Sequence, residues 1–165
     1  MMTIMGRRAV IGSALLAGTG VGVLGLRAVA APKAAYPLTL SDAEWRKRLT
    51  PAQYAVLRQA STERAFSSPL DKEHRAGIFT CAGCALPLYS SRMKFDSGTG
   101  WPSFWAPLAN AVGTGRDFAI GVPRIEVHCR RCGGHLGHVF DDGPRPTGKR
   151  YCMNGVAMKF VPGRA

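Results

Sequence analysis

The sequence predicts a mainly β fold, antiparallel sheets around a structural zinc, with short N-terminal helices. Three observations carry this. From Gly77 onward, brief runs of β-forming residues alternate with Gly, Pro and Asp. Two Cys-x-x-Cys pairs, Cys81/Cys84 and Cys129/Cys132, each close such a run. Two helix-start signatures precede them. At 165 residues the chain suits one domain with a real core. Its 46% apolar content excludes a disordered protein. The formal charge of +12 raises the question of an anionic partner. The basic residues are scattered, however, with runs no longer than Arg46-Lys47-Arg48, so they read as a solvated basic surface and not as a nucleic-acid site.

Residues 1–30 read as an export signal of the twin-arginine type. Arg7-Arg8 opens a charged segment, Val10 to Leu26 is apolar and uncharged, and Ala28-Val29-Ala30 offers an A-x-A cleavage site. The glycines of the apolar run, with Ser13 and Thr19, suit a signal better than a membrane span, which wants about 20 strongly apolar residues. The expected location is the periplasm, with membrane attachment only if the signal is uncleaved. Cleavage after Ala30 removes three of the 22 basic residues and none of the 10 acidic ones, taking +12 to +9. Residues 31–39 form a linker.

The folded part is expected over residues 40–162. Ser41-Asp42-Ala43-Glu44 is a capping box, and Trp45 and Leu49 give its helix an apolar face. Thr50-Pro51-Ala52-Gln53 is a second, with Pro at the first helical position and Tyr54 and Leu57 facing inward. Ser61 to Arg75 is polar and loop-like. The expected strands are Gly77 to Cys81, Leu86 to Tyr89, Phe118 to Val122, Arg124 to Cys129, Leu136 to Phe140, Lys149 to Met153 and Val156 to Val161.

Each Cys-x-x-Cys turn aims two sulfurs at one spot, and two such turns complete a tetrahedron around one Zn2+. A closed four-sulfur site leaves no position for water, so the ion is structural. Two disulfides are the competing reading, because export implies an oxidising compartment. A thioredoxin-like redox pair would need a βαβ setting, which is absent from the pattern. Export of an already folded chain allows metal to be loaded first. Cys152 is the fifth cysteine. Lys149 and Arg150 precede it, and nearby cations favour the thiolate. It is either a nucleophile or a buried structural cysteine.

Three blocks carry a resemblance to a family. Lys94-Phe95-Asp96-Ser97-Gly98-Thr99-Gly100-Trp101-Pro102-Ser103-Phe104, His135-Leu136-Gly137-His138-Val139-Phe140-Asp141-Asp142-Gly143-Pro144 and Pro146-Thr147-Gly148-Lys149-Arg150-Tyr151-Cys152-Met153-Asn154 resemble the type B methionine-R-sulfoxide reductases. The match runs from about Leu40 to Val161. It implies a twisted antiparallel β fold with a structural zinc, acting as a monomer on oxidised proteins or peptides. It also implies that Cys152 attacks the sulfoxide sulfur and is left as a sulfenic acid.

The chemistry suits these residues. His135 and His138 are candidates to protonate or hydrogen-bond the leaving oxygen. Asn154 can donate to that oxygen from its amide, or it is a turn residue before Gly155. Trp101 can cradle the methyl end of the substrate, with Phe104 beside it in the same block, or it is a core aromatic. In an ideal strand the two histidines fall on opposite faces, and a bulge at Gly137 would bring them together. Many family members carry a second cysteine where this chain has Thr99. Without it, the sulfenic acid is expected to need an external thiol, whether thioredoxin-like, glutaredoxin-like or small. Gly155 stands where Ser is commoner. The rival function is a zinc-stabilised β module that only binds; such a module needs the paired cysteines but not Cys152.

Overall fold

The computed structural model describes residues 36–165. The expected signal at 1–30 and the first part of the linker lie outside the described residues. Two helices come first, α1 (Asp42–Arg48) and α2 (Pro51–Gln59). Both expected capping boxes form, Ser41 with Glu44 and Thr50 with Gln53. Each such cap contributes about 1 kcal/mol. Trp45, Leu49, Tyr54, Val56 and Leu57 are buried, as an apolar face requires.

Nine strands follow: β1 (Gly77–Cys81), β2 (Pro87–Ser90), β3 (Lys94–Phe95), β4 (Ser103–Phe104), β5 (Val112–Asp117), β6 (Arg124–Cys129), β7 (His135–Phe140), β8 (Arg150–Met153) and β9 (Met158–Pro162). They make a three-stranded sheet, β2-β1-β9, and a six-stranded sheet, β3-β4-β8-β7-β6-β5. All pairings are antiparallel.

One expected strand is absent. Phe118 to Val122 is the turn between β5 and β6, closed by a hydrogen bond from the Gly121 N–H to the Phe118 carbonyl. Asp117 accepts the Ala119 N–H at 2.8 Å and bends the chain out of the ladder. The strand is instead Val112–Asp117, whose two glycines hide its pattern. Gly113 is required there, since a Cβ would lie 2.5 Å from His128 Nε2.

Aromatic side chains join the sheets. The Phe104 ring stacks on Tyr89 at 4.3 Å and meets Phe79 edge-on at 4.9 Å. Tyr89 and Phe79 belong to the small sheet, and Phe104 to the large one. Burying one such ring contributes roughly 1.5–3 kcal/mol, and stacking about 0.5–1.5 kcal/mol more. The Tyr89 hydroxyl donates to Met153 Sδ at 3.1 Å. Helix α2 covers the end of β7 and the 3-10 turn Gly155–Ala157. That turn explains Gly155: a Cβ there would lie 2.0 Å from Ser68 Oγ.

Strand β7 carries an irregularity that matters for everything near it. Val127 of β6 pairs with Gly137, but the next residue, His128, pairs with His135, so Leu136 is an extra residue. At Gly137 a Cβ would sit 2.1 Å from the Cys152 carbonyl oxygen and 3.0 Å from Met153 Cα. Gly137→Ala is therefore expected to destabilise the fold by about 2–3 kcal/mol through forced backbone movement. Urea denaturation of the purified variant checks this.

Candidate active site

Strand register lays four polar side chains in a line across the large sheet. Ser103 of β4 pairs with Cys152 of β8, Cys152 with His138 of β7, and His138 with Glu126 of β6. Paired residues in a pleated sheet point to the same face, so this is one row. The residues between them point to the other face. Phe104 is one residue from Ser103 and is fully buried against Tyr89. It therefore cannot contact a substrate beside Cys152, contrary to the expectation from sequence.

The bulge brings His135 to the same face. The His135 and His138 rings lie 5.3 Å apart, edge to face. Each ring is held by a carboxylate, His135 Nδ1 by Glu126 at 2.8 Å and His138 Nε2 by Asp117 at 2.7 Å. Asp117 also accepts from Arg124 at 2.6 Å. These hydrogen bonds, led by the Ala119 N–H, hold its carboxyl at about 2. Burial pulls the His138 pKa below the usual imidazole value, and the Asp117 bond only partly offsets it.

A small open cavity of about 130 Å³ sits over the row. Trp101, Arg124, His138, Phe140, Cys152 and Asn154 line it, with Thr62 and Gly137. Trp101 is held by its indole N–H, which donates to the Glu63 carbonyl at 3.2 Å. Asn154 accepts the Glu63 N–H at 2.9 Å and donates to the Leu136 carbonyl at 3.1 Å. Glu63 itself closes the loop onto the 3-10 turn by accepting the Gly155 and Val156 N–H groups. Burial pushes its carboxyl up despite those two bonds. A wider groove, about 600 Å³ between α2 and that turn, holds neither a cysteine nor a histidine.

The sequence pointed to Cys152, Trp101, His135, His138 and Asn154. The structure brings Cys152, Trp101, His138 and Asn154 to one cavity, while His135 packs on the His138 ring and lines a separate groove with Glu126 and His128. Glu63, Asp117, Arg124 and Glu126 were missed. Glu126 had a visible signal: Arg124, Glu126 and His128 alternate with Ile125, Val127 and Cys129, a polar face that required partners. Glu63 lies in a polar loop and had none.

Of the two cations that precede Cys152, Arg150 favours its thiolate and burial outweighs that effect. Lys149 is directed to Asp141, and Arg150 forms a two-pronged pair with Asp142 at 2.8 and 2.9 Å. Burial pushes the Cys152 thiol above its ordinary value of 9.0. The Thr99 hydroxyl, 3.8 Å from Sγ, and then Arg150 and Ser103 only reduce that rise. Thr99 belongs to a chain of hydroxyls, bonded to Ser97 at 2.8 Å, which bonds to Ser103 at 2.7 Å.

The other four cysteines are elsewhere. Cys81 and Cys129 end β1 and β6, and Cys84 and Cys132 sit in the turns that follow. The two turns match: Ala85 and Gly133 each take a positive φ and bond back to the carbonyls of Cys81 and Cys129 at 2.8 Å. All four sulfurs are buried within 4.8 Å of one another. The cross-pairs Cys81/Cys132 and Cys84/Cys129 are 3.7 and 3.4 Å apart. Tetrahedral zinc at about 2.3 Å from each sulfur spaces them about 3.8 Å apart, so the cluster fits one ion. Cys129 is pulled far down by hydrogen bonds from Cys132, Cys81 and Cys84, while Cys81 is pushed far up by Cys129. Four thiolates need a dication to coexist. The site is a structural metal centre, and none of the five cysteines is in a disulfide.

Comparison with known proteins follows this geometry. The SelR domain matches residues 49–162. The chain is 55% identical over 123 residues to the chloroplastic peptide methionine sulfoxide reductase B1 of Arabidopsis thaliana, covering 74% of this chain and 61% of that protein. It is 54% identical over 123 residues to the peptide methionine sulfoxide reductase MsrB of Bradyrhizobium diazoefficiens, covering 74% and 88%. To the MsrB of Leptospira interrogans it is 50% identical over 126 residues, covering 76% and 96%. The chain thus spans less than two thirds of the plant protein and most of the bacterial ones.

Because burial dominates at Cys152, its alkylation by iodoacetamide is expected to rise with pH to a midpoint above 9.0. Replacing Arg150 by Met removes a cation that favours the thiolate, so the midpoint should move higher still. Mass spectrometry of the Cys152 peptide across pH checks both.

Proposed function

We propose that this chain, which belongs to the SelR-domain family of peptide methionine sulfoxide reductases, reduces methionine-R-sulfoxide in oxidised proteins or peptides through Cys152. The observation that carries this is the row Ser103–Cys152–His138–Glu126, whose Cys152 and His138 line one small cavity with Trp101 and Asn154. The Cys152 sulfur attacks the sulfoxide sulfur, and the sulfur–oxygen bond breaks. Oxygen passes to Cys152, methionine leaves, and Cys152 becomes a sulfenic acid. Thiol plus sulfoxide gives sulfenic acid plus thioether, so atoms balance: methionine gains two electrons and Cys152 loses them. The thiol proton ends on oxygen.

His138 is the group we assign to that proton transfer. Its Nε2 is bonded to Asp117, so an imidazolium carries the transferable proton on Nδ1. Asp117 stabilises that charged form. His135, fixed by Glu126, packs beside it. Trp101 offers its ring to the substrate methyl group, and Asn154 keeps one amide hydrogen beyond its bond to Leu136.

Recycling follows from Thr99. The residue facing Cys152 Sγ is a hydroxyl, and the other four cysteines are buried in the metal cluster. The sulfenic acid therefore condenses with an external thiol, losing water, and a second thiol frees Cys152. Export by the twin-arginine route to the periplasm is part of the same reading. Arg7-Arg8, the apolar run and Ala28-Val29-Ala30 support it. A periplasmic mature chain starting at Ala31 is the expected result of N-terminal sequencing.

Purified protein given the separate R and S epimers of a peptide sulfoxide with dithiothreitol should consume only the R epimer. Cys152→Ser should lower kcat at least about a thousandfold, as expected for loss of a nucleophile. Intact-mass measurement after one turnover without reductant should find one added oxygen and no intramolecular disulfide. A Cys152 disulfide within the chain would refute the external-thiol step.

A further inference from the structure

The cavity is small, about 130 Å³, so most of a polypeptide substrate must lie on its rim. That rim carries exposed apolar side chains on two sides. On the β5–β6 side is the turn after Asp117, where Phe118, Ile120 and Val122 are 59%, 63% and 59% exposed. On the opposite side Phe66, from the loop between α2 and β1, is 66% exposed and lies over Gly100, which with Trp101 precedes β4. Among the described residues nothing covers either group.

Both are held by the site itself. Phe66 takes a left-handed φ of 63°, costly for a bulky residue, and its N–H donates to the Gly100 carbonyl at 2.7 Å. The turn is fixed by Asp117, which accepts from Ala119, His138 and Arg124 together. A backbone strained to present an aromatic ring to water, and an ordered turn that does the same, are unfavourable unless something covers them.

We propose that Phe66 and the Phe118–Val122 turn form a two-sided apolar clamp for the substrate polypeptide, selecting methionine sulfoxides flanked by apolar side chains. Both apolar groups adjoin residues that line the cavity. Arg124 lines the cavity and leads out of the turn, and Trp101 lines it and adjoins Gly100, so a chain with its sulfoxide over Cys152 lies between the two. This rests on the reaction proposed above.

The test compares N-acetylmethionine-R-sulfoxide with two pentapeptides, the R-sulfoxide flanked by Leu or by Ser. The wild-type KM should be about tenfold lower for the Leu peptide, the effect of burying about one apolar side chain. The triple variant Phe118→Ser, Ile120→Ser, Val122→Ser should abolish that ratio while leaving kcat and KM for N-acetylmethionine-R-sulfoxide unchanged. Phe66→Asn, which tolerates a left-handed backbone, should also reduce the ratio. Equal KM for the two peptides in the wild type, or an intact ratio in the triple variant, overturns the clamp. An intact ratio with lost binding to phosphatidylglycerol vesicles would overturn it too and mark the turn as a membrane contact. If no R-sulfoxide is reduced at all, the reaction itself fails and takes the clamp with it.

Discussion

Four cysteine sulfurs crowded into one buried spot are the constraint on which the rest depends. Strand β1 belongs to the small sheet and β6 to the large one, and each ends in a cysteine of the cluster. The cluster therefore fixes where the sheets sit relative to each other. Phe104, Tyr89 and Phe79 then fill the space between. Arg58 and Arg131 reach across to carbonyls of Cys132 and Cys84, tying α2 and the second turn to the same place. Because ligand thiolates exist together only around a cation, metal binding and folding are one event.

The large sheet turns that rigidity into chemistry through one extra residue. Regular pairing would put His135 and His138 on opposite faces. The additional residue at Leu136 rotates the chain so both rings share a face, and Gly137 provides the close approach to β8 that this needs. The carboxylates come from neighbouring strands, Glu126 from β6 and Asp117 from β5, so both rings are oriented from the side away from Cys152. Cys152 is half-buried, and its thiol holds its proton more tightly than in water. Under the proposed reaction, proton transfer and sulfur attack are therefore closely linked steps.

Much of this was legible from residue order, and the failures have physical causes. The capping boxes located both helices, because Ser41 and Thr50 each had an acceptor three residues on. The strands at Gly77–Cys81 and Arg124–Cys129 were found to the residue, since composition and punctuation agreed. Val112–Asp117 was missed because its glycines, one required beneath the His128 ring, carry no strand propensity. Its neighbour, Phe118 to Val122, imitated a strand with apolar residues that in fact face water. Phe104 was placed at the site because it adjoins the right segment, but a one-residue step in a strand reverses the face. Cys152 was read from two adjacent cations, of which Lys149 turns to Asp141 while Arg150 pairs with Asp142 and still favours the thiolate, though less than burial opposes it. Local sequence shows which charges are near, and only the fold shows where they point.

The same reversal of face has a consequence for Met153. It follows Cys152 directly, yet its sulfur lies on the far side of the sheet, fully enclosed, with the Tyr89 hydroxyl against it. Cys152 lines the cavity, whereas Met153 does not and has no exposed surface. One strand thus sets two neighbouring sulfurs in opposite surroundings, so an oxidant added to the folded protein is expected to reach Cys152 well before Met153.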